Sequence, residues 1–432
     1  MSKVILHIDG DSFFASCEIS LDPNLRGKPV VTGQERGIAT AMSPEAKALG
    51  ITRGMPVFQI KKNFPQVVVT QSHYGTYGIF AQRMYDIVRR YTTIVEEYSI
   101  DECFADLTSV LEPNRGLREA KLALAMEVKE TLKRELGMTF SIGIGPTKVL
   151  AKIASKHQKP DGLTVIEEND IQTFLKDLPI GKVWGIGPQT TQDMQKRGIN
   201  TALEFITLNH DHVQEAFARP NVDIYKELKG ISIHEVNDHI DPDDYRSLQK
   251  TRTFTPPSSN RSFVLRELSK NVELACAKAR RHNLSARRIY YFLKTQEFRY
   301  KRKEIALVNP LSNPNDILVE IEKTFDEVYV PNILYRATGV TLSELVDSDH
   351  VQTDLFGGSV RVDDWGKVYE VLDKVTTRYG SNSMMLGSSL KTRQSPKIRV
   401  FGGSAQNDEK HLNPINRNLK KRFRIPYLGE VK

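Results

Sequence analysis

Acidic residues follow directly after two apolar, β-prone runs that lie far apart in the chain. Residues 4–8 predict a buried strand that ends at Asp9, and residues 94–100 predict a second strand that ends at Asp101 and Glu102. If the two strands are neighbours in one sheet, three carboxylates converge and repel one another unless cations lie between them. Hard oxygen ligands of this kind suit Mg²⁺. The pattern therefore predicts a carboxylate metal site at the edge of a sheet.

Each acidic motif also has a purely structural interpretation. The Asp-Gly-Asp run at residues 9–11 is typical of a turn or a helix N-cap, with Asp11 as the capping residue. The Asp101-Glu102 pair, taken alone, is equally typical of a solvated hairpin tip. A short motif is only a hypothesis until its context is known, so both interpretations stay open at this point.

The composition predicts a soluble chain of several domains that needs no covalent crosslink. The 432 residues are enough to bury ample core. The three cysteines, Cys17, Cys103 and Cys276, are scattered and lack metal-ligand spacing, which is typical of a reducing cytoplasmic setting. The N-terminus does not resemble a signal peptide, and no run approaches the roughly 18 apolar residues of a membrane span. We therefore expect a cytoplasmic protein without a membrane partner.

Positive charge is concentrated in one segment. The chain has a net charge of +8, yet residues 246–303 alone hold sixteen Lys and Arg against three acidic residues. A run of charge is most often a solvated face. An excess larger than the net charge of the whole chain, confined to one segment, instead indicates a site for a polyanion, and nucleic acid is the first candidate.

Periodicity predicts several further elements. Helices are expected over residues 116–137, 146–157, 263–284 and 315–329, and a strand over residues 289–294. Lys148, Lys152 and Lys156 lie on one face of the second of these helices, which by default is a solvated face.

Four motifs, in this order, resemble those of the Y-family translesion DNA polymerases. They are Ile8 to Phe14, Ala39 to Gly50, Ser99 to Glu102, and Ser141 to Gly145 continued by Lys159 to Gly162. The likeness covers about residues 3 to 350 in order and spacing, which no single short motif provides. Among branches the chain looks most similar to UmuC-like enzymes of Gram-positive bacteria and their phages or plasmids.

The resemblance implies an α+β multidomain fold with the architecture of a right-hand polymerase. The implied domains are a palm (1–25 and 75–165), fingers (26–74), a helix-hairpin-helix thumb (166–240), an α+β little finger (245–348), and a clamp-binding motif with a C-terminal tail (349–432). The implied activity is error-prone, template-directed DNA synthesis past lesions, by nucleotidyl transfer to a primer end.

The resemblance also implies which residues carry the chemistry. Asp9, Asp101 and Glu102 would hold two Mg²⁺ ions, and the carbonyl of Gly10 would complete one of the two sites. Such ions activate the primer hydroxyl and neutralise the triphosphate.

Residues around the nucleotide follow from the same likeness. Phe14 falls at the steric-gate position, where a ring excludes a ribose 2′-hydroxyl, and Phe13 would stack beneath the incoming sugar and base. Thr40, Lys47 and Lys159 match positions that contact the triphosphate. Lys47 is equally well read as an exposed helix lysine, and unlike an arginine it cannot form a bidentate fork.

Other implied contacts concern DNA. The small residues Gly37, Ala39 and Gly54 would form the surface against the nascent base pair and leave room for a distorted template base. Backbone contacts would come from Gly185 and Gly187 in the thumb. In the little finger they would come from Arg252, Arg287 and Arg288.

A short motif after the basic segment resembles the bacterial sliding-clamp-binding peptide. Gln352, Asp354, Leu355 and Phe356 stand in a polar setting, where an exposed Leu-Phe pair is either incidental or a docking element. The expected partners are therefore primed DNA, deoxynucleoside triphosphates and a sliding clamp. A processed UmuD-like dimer and a recombinase filament are further partners of the family.

Two other functions are compatible with part of these features. A two-metal nuclease needs the same carboxylates but neither a steric gate nor triphosphate lysines. A non-catalytic DNA- and clamp-binding factor would bind primed DNA without extending it.

Overall fold

The computed structural model describes residues 3–112, 117–238, 245–348, 368–369, 371–376 and 378–379. They fall into two compact units that divide at about residue 240. Among these residues, no helix is both long and apolar enough to span a bilayer.

The first unit is built from nineteen helices and strands among its described residues. In chain order they are β1 (Ile5–Gly10), α1 (Phe13–Leu21), β2 (Val30–Thr32), β3 (Ala41–Met42), α2 (Pro44–Ala48), α3 (Val57–Asn63), β4 (Val68–Thr70), α4 (Tyr74–Val88), β5 (Val95–Ser99), β6 (Glu102–Asp106), α5 (Arg118–Leu136), β7 (Phe140–Gly145), α6 (Lys148–His157), β8 (Leu163–Val165), α7 (Ile171–Leu175), α8 (Pro188–Lys196), α9 (Ala202–Thr207), α10 (His210–Ala216) and α11 (Arg219–Leu228).

A five-stranded sheet in the order β5-β6-β1-β7-β8 forms the centre of this unit. All six residues of β1 and all six of β7 are buried, as expected for strands that are covered on both faces. Helices α1, α4 and α5 contribute to the core on one face. Helix α6 packs on the other face, against β1 and β7.

Two glycines in β7 allow α6 to lie against the sheet. A Cβ at Gly143 would come within 2.2 Å of the Ala151 carbonyl oxygen, and one at Gly145 within 2.8 Å of the Ala151 nitrogen. The opposite face of α6 buries Val149 and Leu150 in a core shared with helices α7 to α11. Helix α6 therefore joins the sheet to the helical region that follows it.

The two acid-bearing strands considered in the sequence are not neighbours in the sheet. The strand predicted over residues 94–100 is β5, and it does not touch β1, because β6 lies between them. The acids nevertheless approach β1, since the β5–β6 hairpin turns at Asp101 and Glu102 is the first residue of β6.

A small sheet in the order β3-β2-β4 spans residues 30–70, with α2 and α3 beside it. Its separate core contains Val31, Ala39, Ala46 and Ile60. After the central sheet, α7 to α11 form a helical region that buries Phe205 and Tyr225.

The second unit contains β9 (Ser247–Ser258), α12 (Arg261–Arg281), β10 (Leu284–Thr295), β11 (Tyr300–Leu311), α13 (Pro314–Val328) and β12 (Tyr335–Asp347). Its antiparallel sheet has the order β11-β10-β12-β9. Helices α12 and α13 share its core with the sheet. The predicted helix over 263–284 ends three residues early, because Asn283 adopts a φ of 53° and Leu284 begins β10.

Candidate active site

Three carboxylates meet where β1 and the β5–β6 hairpin end. Asp9 and Glu102 are direct partners in the antiparallel pairing of β1 with β6. The backbone amide of Gly10 donates to the carbonyl oxygen of Asp101 at 2.8 Å, and the Ser99 hydroxyl donates to the Asp101 carboxylate at 2.7 Å. The acids predicted from the sequence therefore lie together at one end of the strands of the central sheet.

Two lysines neutralise two of these acids. Lys159 donates to Asp9, and the Lys152 ammonium lies 2.5 Å from Glu102. Lys148, on the same helix as Lys152, donates to both carboxylate oxygens of Glu96 at 2.7 Å. The default expectation of a solvated lysine face on α6 was therefore wrong for Lys148 and Lys152, which are buried, and holds for Lys156, which is exposed.

The two paired acids are shifted in opposite directions. Burial raises the pKa of Asp9 to about 6, Lys159 opposes the rise, and the nearby charges of Glu102 and Asp101 add to it. Burial also favours the neutral form of Glu102, but its contacts with His7 and Lys152 outweigh burial and lower its pKa to about 2. The mutual repulsion of the three acids is the condition under which a bound cation is most stabilising.

The donor set fits a divalent cation in its chemistry. Three carboxylates and the carbonyl oxygen of Gly10 are hard ligands of the type that Mg²⁺ prefers. In the ranges that the structure describes, however, no three His, Cys, Asp or Glu side chains converge closely enough to hold an ion as they stand. Lysine ammonium groups lie beside two of the three carboxylates, Asp9 and Glu102.

Asp11 supports this site and is not a helix cap. Its carboxylate accepts from the Ser141 hydroxyl at 2.7 Å and from the backbone amide of Asp161 at 2.8 Å. The residue before helix α1 is Ser12, whose side chain makes no capping hydrogen bond. The capping interpretation of Asp11 was therefore wrong. Its actual role is to tie the turn that carries Lys159 to the start of β7.

His7 is a residue of the site that the sequence did not reveal. Its fully buried ring hydrogen-bonds through Nδ1 to the Ser155 hydroxyl at 2.7 Å, and its Nε2 lies 3.7 Å from Glu102. Burial lowers the pKa of His7 to about 4. Within β1, a histidine flanked by Leu6 and Ile8 was the available signal, because a buried strand position seldom holds an imidazole without a polar partner.

Phe14, at the start of α1, lies in a cluster of aromatic rings. It stacks on Tyr77 with ring centroids 4.6 Å apart, and the Tyr74 ring lies nearly perpendicular to it with a centroid distance of 5.5 Å. Glu18 fixes Tyr77, whose hydroxyl donates to it at 2.6 Å. Phe14 is partly exposed, whereas Phe13 is only 3% exposed and packs in the core of the central sheet.

The small sheet brings the predicted triphosphate contacts toward the β1–α1 turn. The Lys47 ammonium donates to the Ser12 hydroxyl at 2.8 Å, across 35 residues of sequence. The Thr40 hydroxyl is 2.8 Å from that of Thr32, and the Thr40 carbonyl accepts from Arg53 at 2.9 Å. Lys47 is exposed on α2, as its alternative reading expects, yet it also reaches the turn between β1 and α1.

The predicted small-residue surface is drawn together by backbone hydrogen bonds. The amide of Gly54 donates to the carbonyl of Ala39 at 2.9 Å, and the amide of Val57 donates to that of Gly37 at 2.8 Å. Gly37 and Gly54 have φ values of 71° and 89°, a region that favours glycine.

The two glycines predicted to contact DNA from the thumb are exposed near the start of α8. Gly187 immediately precedes the helix, and a Cβ added there would meet no atom within 4 Å. Gly185 has a φ of 91° and lies against Ile224. The open approach to Gly187 leaves the helix N-terminus accessible.

The predicted DNA-contacting arginines of the second unit differ in their surroundings. Arg287 is exposed on β10. Arg288 is held by Glu304 and by Glu344, the latter at 2.8 Å, and Arg252 lies 3.4 Å from Glu267. Acids beyond residue 303 thus neutralise part of the charge excess seen in the sequence. The predicted clamp residues 352–356 lie outside the described residues.

Comparisons with known proteins agree along most of the chain. The impB/mucB/samB family model matches residues 8–156, its C-terminal domain model residues 245–355, and the IMS family HHH motif residues 168–199. DNA polymerase IV 1 of Bacillus subtilis (strain 168) is 30% identical over 95% of this chain and 99% of its own length. DNA polymerase IV of Moorella thermoacetica is 32% identical over 89% of this chain and 96% of its own.

The chain belongs to the Y family of DNA polymerases. It is a DNA-directed DNA polymerase that acts in translesion synthesis, and neither the nuclease nor the non-catalytic binding factor is favoured. The relatives named above are DNA polymerase IV proteins, so the UmuC-like branch stays a prediction. The Y-family fold implies the use of divalent metal.

Solved structures agree with this polymerase in fold. A chimera of the Y-family DNA polymerases Dbh and Dpo4 has a TM-score of 0.68 at 22% identity, covering 79% of this chain and 99% of its own. An insertion ternary complex of Dbh DNA polymerase has a TM-score of 0.51 at 23% identity, with the same coverage. The expected right-hand polymerase fold is thereby confirmed.

Proposed function

We propose that this polymerase transfers nucleotides by a two-Mg²⁺ mechanism in which Asp9, Asp101 and Glu102 hold the ions, aided by the Gly10 carbonyl. The observation that carries the proposal is the direct pairing of Asp9 with Glu102, beside the hydrogen bond from Gly10 to Asp101. When bound, the ions lower the pKa of the primer 3′-hydroxyl and neutralise charge on the triphosphate. The chain contributes position, because strands β1 and β6 fix Asp9 and Glu102, and hydrogen bonds hold Asp101 in the turn between β5 and β6.

Lys159 acts on the triphosphate in this proposal. Its side chain is one-third exposed and already holds the anionic Asp9, so it can exchange one oxyanion for another when a nucleotide enters. The turn that carries it is tied to Asp11, which limits how far the lysine moves. Thr40 and Lys47 are proposed to contact the same group, and Lys47 approaches from the side of the small sheet.

Phe14 is proposed as the steric gate. Its ring packs against Tyr77, which Glu18 holds in place, so the ring cannot move away from a ribose 2′-hydroxyl and clashes with it. The proposed stacking of Phe13 on the nucleotide has less support, because that ring is almost wholly buried. Gly37, Ala39 and Gly54 are proposed to face the nascent base pair.

Several partners belong to the same proposal. Gly185 and Gly187, with Arg252, Arg287 and Arg288, would contact the DNA backbone. The exposed Arg287 is the best supported of the arginines, because among the described residues no carboxylate pairs with it, whereas Arg252 and Arg288 have acidic partners. A sliding clamp is proposed to bind Gln352, Asp354, Leu355 and Phe356. From the likeness to the family we also propose two further partners, a UmuD-like dimer and a recombinase filament. The same likeness suggests damage-induced expression and a cytoplasmic location.

The metal proposal is tested by counting ions as well as by activity. Calorimetric titration of Mg²⁺ into the complex with primer-template and a non-hydrolysable nucleotide should give two ions per chain for the natural protein. The Asp101→Asn variant should bind fewer ions while its affinity for the primer-template stays within about threefold. An unchanged ion count in that variant contradicts the proposed ligand set.

A further inference from the structure

Two exposed aromatic rings lie at one end of the sheet in the second unit. Phe298, in the turn between β10 and β11, is 60% exposed, and Tyr300, the first residue of β11, is 56% exposed. The side chain of Leu334 beside them is 47% exposed. The backbone amide of Gln296 donates to the Leu334 carbonyl at 2.8 Å, which fixes the turn against the segment before β12. The rings therefore project from an anchored turn.

Two cations lie on these rings. The Lys294 ammonium is 4.8 Å from the centroid of Phe298 and 4.8 Å from that of Tyr300, and the Arg336 guanidinium is 4.4 Å from the centroid of Phe298. Neither cation pairs with a carboxylate in the part of the chain that the structure describes. By contrast, Arg252, Arg261, Arg280, Arg288 and Lys303 of the same unit all have acidic partners. Lys294 and Arg336 therefore keep their charge available to an anionic ligand.

The backbone at Phe298 argues against a purely structural role. Its φ of 65° lies in the left-handed region, which costs little for glycine or asparagine and is a strained choice for a bulky residue. A turn selected only for stability would hold Asn or Gly there. The ring also gains little from burial, since most of it faces solvent. Neither apolar burial nor backbone preference therefore explains a phenylalanine at this position.

We infer that Phe298 and Tyr300, with Lys294 and Arg336, form a stacking platform for the unpaired template strand. Exposed aromatic faces beside unpaired cations are the combination that binds single-stranded nucleic acid, because bases stack on the rings while the cations meet the phosphates. Inside a duplex each base pair is stacked between its neighbours, so only single-stranded bases offer both faces to the rings. In a primed template the only single-stranded part lies beyond the primer end, which identifies the strand.

The test compares DNA ligands that differ only in the overhang. Fluorescence anisotropy of the full chain would measure binding to a primed template with a ten-nucleotide 5′ template overhang and to the same duplex with a blunt end. We expect Phe298→Asn to weaken binding to the overhang substrate about 10-fold and to leave blunt-duplex binding unchanged. The thermal midpoint should stay the same or rise, because Asn suits the backbone. Val319→Ala, at an exposed apolar position on α13, is the matched control.

Two results would overturn the platform. One is unchanged affinity for the overhang substrate in both Phe298→Asn and Tyr300→Ala. The other is an equal loss on both DNA ligands, which assigns the surface to duplex backbone. The inference rests on the chain being a DNA polymerase, but binding is measured without nucleotides, so a failure of the proposed metal mechanism cannot mimic either result.

Discussion

Asp9 and Glu102 face each other across the pairing of β1 with β6, and each holds a different lysine. Lys152 comes from α6, and Lys159 comes from the turn that follows this helix. The metal-binding carboxylates proposed here therefore already have cationic partners in the protein. Such pairing lowers the cost of burying the acids together before a substrate is bound.

Removal of one of these acids should abolish synthesis without loss of DNA binding. For Asp9→Ala and Asp101→Ala, we expect primer extension to fall at least about 1000-fold, because several kcal/mol of transition-state charge stabilisation is lost. The measurement is single-turnover extension, beside anisotropy with the same primed template. Asp86→Ala, at an exposed position on α4, is the control and should extend normally. Near-normal extension by Asp9→Ala would falsify the proposed site.

The two neighbouring phenylalanines should respond in opposite ways. Phe14→Ala is expected to raise ribonucleotide incorporation on the order of 100-fold, since it removes a partly exposed ring that is backed by Tyr77. Phe13→Ala should instead lower the free energy of unfolding by about 3–5 kcal/mol, because it empties a buried core position. Primer extension with ribonucleotides alone and urea unfolding separate the two effects. Unchanged exclusion of ribonucleotides by Phe14→Ala would refute the gate.

Glycines in β7 should resist substitution where α6 meets the sheet. The Cβ of Gly143→Ala would lie 2.1 Å from the Ser155 nitrogen, so the helix that carries Lys148 and Lys152 must move. We expect the free energy of unfolding to fall by about 1–3 kcal/mol and primer extension to be slower. Gly78→Ala, in the exposed interior of α4 with no atom within 4 Å of the added Cβ, should stabilise by about 0.5–1 kcal/mol. Equal effects from the two substitutions would contradict this packing.

Local patterns predicted much of the fold and the candidate acids. Strand β1 and helices α5, α12 and α13 follow from apolar periodicity, which is a property of a short segment. Strand order is not such a property. Strand β6 lies between β5 and β1, so that Glu102, and not the end of β5, is opposite Asp9. This order depends on a hairpin and on contacts across the sheet.

Partners that lie far apart in sequence were missed for the same reason. Asp11 looked like a cap because capping is local, whereas its partners Ser141 and Asp161 come from β7 and from the turn after α6. Arg288 looked available to DNA because its acids, Glu304 and Glu344, lie beyond the C-terminal end of the basic segment. Charge counted along a chain does not reveal which side chains a sheet brings together.

The sequence alone identifies the substitutions that test the clamp proposal. Leu355→Ala and Phe356→Ala should each weaken stimulation by a bacterial sliding clamp about 30-fold, as expected for apolar anchors in a binding cleft. Basal extension without the clamp should not change. Thr353→Ala, inside the same pentapeptide at a position without a predicted anchor, is the control. Clamp stimulation that survives both anchor substitutions removes this motif from the proposal.

Breaking a buried ion pair in the first unit should cost more stability than breaking an exposed one. Lys148 and Glu96 are 6% and 8% exposed, and Glu96 also accepts from the backbone amide of Asn237 at 2.8 Å. Lys148→Met leaves the Glu96 carboxylate buried without its cation, so we expect a loss of about 3–5 kcal/mol in the free energy of unfolding. Arg90→Met, which breaks a pair whose side chains are 55% and 25% exposed, should cost less than about 1 kcal/mol. Urea unfolding of both variants measures the difference. Adding Glu96→Leu to Lys148→Met should recover part of the lost stability, because the unpaired charge is then gone. Similar costs for Lys148→Met and Arg90→Met would contradict the prediction and show that Lys148 is more hydrated in solution than its burial indicates.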